Sequence, residues 1–252
     1  MAFLYALALA LLVALAGWAG QALTRGATAV ATLLGTVVLW RTGWPGLAAL
    51  GAFFIGSSVI SRIAPDPGVT ALDAKGPTRD SWQVLANGGA ALLGSLVPGP
   101  AGLWVVTASL AAAAGDTWAT AWGGWSRTEP RHILTGRRVP AGTSGGVTLL
   151  GTTGALLGAA TVAAAASLTS GQSGLFPTGL GLGVLGMLLD SVVGSLWQGR
   201  FRCSVCNRLT ERQVHRCGTA AERIGGLAWL TNDGVNAVAT AISGMGGYLA
   251  WH

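Results

Sequence analysis

Ala114-Gly115-Asp116-Thr117-Trp118-Ala119-Thr120-Ala121-Trp122-Gly123 sets one aspartate in the middle of a long apolar run. Without water around it, a carboxylate there is expensive, and an ionisable group inside a membrane helix is a functional-site candidate by default. Working outward, apolar runs of similar length recur along the whole chain. Of its 252 residues 51% are hydrophobic and only 10% charged, against about 25% charged in soluble domains. That is too little charge to cover a water-facing surface. The 40 glycines would weaken isolated soluble helices. They suit a membrane bundle, where small residues let backbones approach, as in Gly154-Ala155-Leu156-Leu157-Gly158.

The expected fold is all-α: one polytopic transmembrane helix bundle over 1–252 with about eight spans, at 3–20, 27–40, 44–61, 81–97, 101–125, 144–168, 178–198 and 224–251. Asp80 with Gln83 reads as a capping box opening the fourth span. Asp116, Asp190 and Asp233 fall within the fifth, seventh and eighth spans. The net charge of +6 comes from loops between apolar runs, which fits positive-inside topology rather than nucleic-acid binding. With the loops that begin at Arg62, Arg127 and Arg200 in the cytoplasm, fourteen of the fifteen basic residues, Lys75 among them, fall on that side, and only Arg41 lies outside. The chain reads as an integral, multi-pass membrane protein whose site faces the cytoplasm.

The three aspartates come at similar expected depth and have polar neighbours. Thr117 and Thr120 accompany Asp116, while Asn232 and Asn236 flank Asp233. Arg79, Gln83 and Asn87 form a polar stripe at helical spacing. These groups are either interhelical hydrogen-bonding glue, Mg²⁺ ligands, since carboxylate oxygens suit that ion, or an ion path. The segment 135–146 carries Arg137, Arg138, Gly142, Thr143, Ser144, Gly145 and Gly146. Guanidinium forks and glycine backbone at the start of a helix suit phosphate. It lacks the Gly-Lys-Ser/Thr ending of a Walker A loop.

Between 199 and 223 lies a basic cytoplasmic loop with Cys203-x-x-Cys206 and His215-x-Cys217. Three thiols and one imidazole suit a structural, four-coordinate Zn²⁺, with free thiols as the other reading. A cytoplasmic loop disfavours a disulfide.

These motifs resemble the membrane family that contains plant phytyl-phosphate kinase and transmembrane protein 19. The matching stretches are 115–120, 83–89, 140–148, Asp190-Ser191-x-x-Gly194 and Asn232-Asp233-Gly234-Val235-Asn236. Their order and spacing fit across nearly the whole chain. Ala121 stands where that family usually has glutamate, and Ser144 where it often has Asp or Asn. The resemblance implies a kinase that moves a phosphoryl group from a nucleoside triphosphate, plausibly CTP with Mg²⁺, to a prenyl phosphate of phytyl or geranylgeranyl type. Asp116, Asp190 and Asp233 would then be catalytic, and the arginines and glycine loop would hold phosphates. A polyprenol kinase, a cytidylyltransferase-like enzyme and an ion-coupled transporter are the alternatives. The expected partners are the lipid, the nucleotide and surrounding membrane lipids, with a homo-oligomer left open.

Overall fold

The computed structural model describes residues 2–65, 76 and 78–252. Asp66, Asp73 and Lys75, assigned to a polar loop from the sequence, lie outside the described residues. Seven helices occur among those described: α1 (Phe3–Ala19), α2 (Arg25–Ile63), α3 (Ser81–Ser95), α4 (Ala101–Gly124), α5 (Leu149–Ser170), α6 (Leu175–Trp197) and α7 (Asn232–Trp251). Three of them, α2, α5 and α6, are long and apolar enough to cross a membrane. α2 is two helical arms joined at Gly43, whose φ of 68° breaks the helix. Pro45 follows, tolerated because it falls in the first turn of the second arm. The two arms correspond to the second and third expected spans. The capping box is present at α3, with Asp80 N donating to Gln83 Oε1 and Gln83 N to Asp80 Oδ1, both at 2.9 Å.

The chain is not all-α, because its two long loops fold into small sheets. β1 (Arg131–His132) and β2 (Gly146–Val147) form an antiparallel pair. β3 (Arg200–Cys203), β4 (Leu209–Thr210) and β5 (Ala221–Gly225) form a three-stranded antiparallel sheet in the order β4-β3-β5. Two helix starts move as a result. α5 begins at Leu149, capped by the Thr148 side chain, so 144–148 is loop and strand rather than helix. α7 begins at Asn232, capped by Thr231, because 221–225 is strand.

α4 is the centre of the bundle and packs against α2, α3, α5, α6 and α7. Val106, Leu110 and the run Ala111 to Ala114 are buried on every side. Its alanines and the glycines of its neighbours allow near backbone contact. A Cβ placed at Gly158 would stand 2.7 Å from the Ala114 carbonyl oxygen, and one at Gly154 2.6 Å from that of Trp118. Gly158→Ala is therefore expected to destabilise the bundle by about 1–3 kcal/mol, the usual cost of overpacking. Gly181→Ala, which meets nothing within 4 Å, is expected to be neutral or slightly stabilising, since Ala is the better helix former. Thermal unfolding of both variants in detergent checks the contrast.

The loops gather at the two ends of the bundle. At one end Arg62 donates to the Gly20 carbonyl, Arg79 N donates to Ala22 O at 2.9 Å, and Gly124 lies beside Pro65. Both small sheets belong to this end, which carries nearly all the described basic residues. At the other end Trp104 Nε1 donates to Gln172 Oε1 (2.9 Å), and the Trp104 and Trp251 rings stand 5.7 Å apart. Arg41 lies there too, over the Trp40 ring. Between the ends the bundle presents a broad surface of large apolar side chains, among them Leu12, Leu33, Ile55, Leu93, Leu185 and Met245. That surface suits hydrocarbon rather than water.

Candidate functional site

α4 and α6 both point their C-termini at the basic end. Asp116 stands eight residues before the end of α4, and Asp190 seven before the end of α6. At a rise of about 1.5 Å per residue, each lies roughly 10–12 Å inside the bundle. Asp190 is within electrostatic reach of Asp116 and also of Glu211. Its Oδ2 is buried and has no hydrogen-bond partner.

The glycine segment closes over this point. The turn from Pro140 to Thr143 and the pairing of His132 with Gly146 fold it back on itself. Thr143 Oγ1 donates to the Pro140 carbonyl (2.7 Å), and Gly142 takes a φ of 82° in the same turn. Gly145 must be glycine on two counts. Its φ is 79°, and a Cβ there would meet Ser195 Cβ at 2.5 Å and the Ser191 carbonyl oxygen at 3.0 Å. The segment thus rests on α6 within one turn of Asp190. Beside it, Ser144 Oγ donates to Glu211 Oε1 at 3.0 Å. Because Ser144, Gly145 and Gly146 precede α5, they form loop backbone rather than the helix N-terminus expected from the sequence, and the Gly146 N–H is given to the Thr143 carbonyl (2.9 Å).

The other expected site residues are spread more widely. Asp233 sits in the first turn of α7, where a carboxylate complements the helix N-terminus. Val235 of α7 lies level with Gly194 of α6. Asp233 therefore stands about six residues of rise, roughly 9 Å, nearer the loops than Asp190. The expectation of three aspartates at one depth holds for two. Asn232 is exposed beside Asp233, and Asn236, one turn on, is buried. Thr117 Oγ1 donates back to Ala113 O (2.9 Å), and Thr120 is exposed. Arg137 and Arg138 are both exposed. Arg138 pairs with Glu129 at 3.9 Å in a shallow cleft that Arg127 and Arg131 also line. An exposed pair of this kind adds little stability, and it leaves a cationic surface beside the glycine segment.

Arg79 marks a second locality. Its guanidinium lies over the Phe53 and Phe54 rings, at 5.0 and 6.0 Å. Burial draws its pKa down to about 10, so it stays charged at neutral pH. With Gln83 and Asn87 it forms the polar end of an apolar cleft walled by Ala14, Leu34, Leu50 and Phe54. Asn87 Nδ2 is engaged with the Gln83 carbonyl at 2.9 Å. Gly56, next to the cleft residue Ile55, packs on Trp118. The cleft and the aspartate region are therefore neighbours across one helix arm.

Beyond Asp190, the three-stranded sheet brings Cys203, Cys206, His215 and Cys217 together. Their ligand atoms all lie within 4.8 Å of one another. Cys203 Sγ and Cys217 Sγ are 3.6 Å apart, close to the edge of about 3.8 Å for a tetrahedron with Zn–S bonds of about 2.3 Å. Hydrogen bonds with His215 and then Thr219 hold the Cys217 thiol down to about 5, while one with Cys217 pushes Cys206 up to about 11. The donor set and its spacing fit a zinc ion. The sheet is tied to the bundle by Gly199 N donating to Leu230 O (3.0 Å) and Leu227 N to Trp197 O (2.8 Å).

Glu211 is a residue that the sequence alone did not single out. Its one signal was position: an acid in a basic loop, midway between the two ligand pairs.

Protein PGR of Arabidopsis thaliana is 28% identical over 246 residues, covering 85% of this chain and 84% of that protein. An uncharacterized membrane protein of Methanocaldococcus jannaschii is 31% identical over 170 residues, covering 66% of this chain and 71% of its own. No solved structure matches the chain. The family model described as integral membrane protein DUF92 matches residues 8–244. With that match spanning nearly all of its helices, the chain belongs to the DUF92 integral membrane family.

Proposed function

We propose that this protein is a prenyl-phosphate kinase that uses CTP or another nucleoside triphosphate with Mg²⁺. One observation carries the reading: the Gly145 backbone packs on α6 beside Asp190, at Ser191 and Ser195, and Asp190 is within electrostatic reach of Asp116. Carboxylates beside loop amides and a cationic rim are the parts phosphoryl transfer needs, since its catalysis is mostly positioning and charge neutralisation. Asp116 and Asp190 would hold Mg²⁺, which would supply charge neutralisation for the nucleotide phosphates, with Asp233 nearer the mouth. The loop backbone from Gly142 to Gly146, with Arg137 and Arg138 at the rim, would receive phosphate oxygens. Arg79 would hold the lipid phosphate, with the tail in the apolar cleft beside it. The eight helical segments, counting both arms of α2, would each cross the membrane with the basic end in the cytoplasm. The Cys/His set would hold a structural zinc.

The test is a direct assay. Purified protein is given a panel of prenyl phosphates and the four nucleoside triphosphates with Mg²⁺, and the products are separated. Prenyl diphosphate, made at a rate that depends on one nucleotide above the rest, is the expected result. Phosphorylation of a free prenol alone, or cytidylyl transfer, would move the protein to a related enzyme class. Ion flux in proteoliposomes without any transfer product would replace the kinase reading with transport.

A further inference from the structure

We propose that Glu211, presented by the Cys/His arm, is the third carboxylate of the cation site formed by Asp116 and Asp190. The inference rests on the acidic-site reading above and adds a residue to it from outside the bundle. Glu211 directly follows Thr210, which is buried where β4 pairs with β3 opposite Phe201. This anchoring turns the next residue toward the bundle, where the Ser144 hydroxyl fixes Oε1 at 3.0 Å. Asp190 is within electrostatic reach of both other carboxylates, and Gly145, next to Ser144, packs on α6 at Ser191 and Ser195. Its buried Oδ2 has no hydrogen-bond partner. Like charges at such carboxylates repel one another in a medium of low dielectric. A divalent cation reverses the sign of that interaction.

The Cys/His set is the one tight ligand cluster among the described residues, and the carboxylates stand wider apart. Mg²⁺ and Mn²⁺ do not need a tight set, since they keep several waters and use one or two direct carboxylates plus phosphate oxygens. The arm thereby has a second duty. Whatever holds Cys203, Cys206, His215 and Cys217 together also holds Glu211 over Asp190.

The experiment titrates Mn²⁺ alone into the purified full chain and follows the free ion by electron paramagnetic resonance. Glu211→Gln and Asp190→Asn should each weaken Mn²⁺ binding about tenfold or more. Glu211→Asp, which keeps the charge on a shorter stem, should fall between Gln and the parent. Glu222→Gln, an exposed acid on β5 of the same arm, should bind as the parent does. Parental affinity in Glu211→Gln, with the loss confined to Asp190→Asn, would remove Glu211 from the site and leave the acidic-site reading standing. A parent protein that binds no Mn²⁺ would overturn both.

Discussion

Asp190→Asn is expected to lower turnover in the proposed prenyl-phosphate kinase reaction by about 100-fold or more, in line with roughly 3 kcal/mol for one lost electrostatic contact in a transition state. The fold should survive the change. Asn keeps the size of the side chain and removes its capacity to carry charge. Asp190 Oδ2 has no hydrogen-bond partner, so the exchange breaks no hydrogen bond there. The neutral side chain also relieves repulsion from Asp116 and Glu211. Thermal stability should therefore stay level or rise, as when buried charges kept for function are neutralised. A group kept as packing glue would give the opposite pair of results, with activity retained and stability lowered. Turnover and thermal unfolding measured on one preparation separate the two. Added Mg²⁺ and nucleotide should stabilise the parent and not the variant, because a ligand stabilises only the state that binds it. Asp116→Asn should behave the same way, from the same depth on α4. Parental turnover in both variants would end the shared-site reading.

The sequence was most legible where one physical constraint acted alone. Apolar length and the placement of arginines foresaw the helices and the gathering of basic loops at one end. The Asp80–Gln83 box formed as spacing required, because both partners lie within one turn. What was missed depended on contacts distant in sequence. β1 and β2 have two residues each, and β4 has two, too short for an alternating pattern to appear. Ile224 looked like the start of the last span, but it is an exposed strand residue. Thr231, a better cap, opens α7 seven residues later. Ser144 has a hydroxyl and precedes glycines and apolar residues, so it resembled a helix start. Thr148 is the residue whose side chain caps α5. The depth of Asp233 followed from that misplaced start. Glu211 could not be placed on Asp190 without knowing that the Cys/His arm folds back over the glycine segment. That contact joins residues 67 positions apart.

Cys206→Ser is expected to release the metal and unfold the arm, the largest structural effect of any substitution considered. The three-stranded sheet has almost no core. Its strands hold four, two and five residues, and only Phe201, Cys203 and Thr210 are buried among them. A sheet of that size is marginal in water without outside support. Zinc would supply it, with apparent binding energies of about 10–16 kcal/mol in small zinc-dependent folds. The parent should carry about one zinc per chain by elemental analysis when purified without added metal. The variant should carry far less. Trypsin offers a second readout, because Arg208, Arg212 and Arg216 are exposed along the arm. A folded arm resists cleavage at these sites, whereas a loosened one is cut first. The bundle should stay intact, since α6 and α7 pack directly on each other and on α4. Asp116 and Asp190 would remain in place while Glu211 leaves them. Mn²⁺ affinity in Cys206→Ser should thus fall by the same factor as in Glu211→Gln, and the double variant should fall no further. A metal-free parent whose arm resists trypsin would show that the thiols stabilise the sheet without zinc. Additive losses in the double variant would show that the arm and the carboxylate act separately.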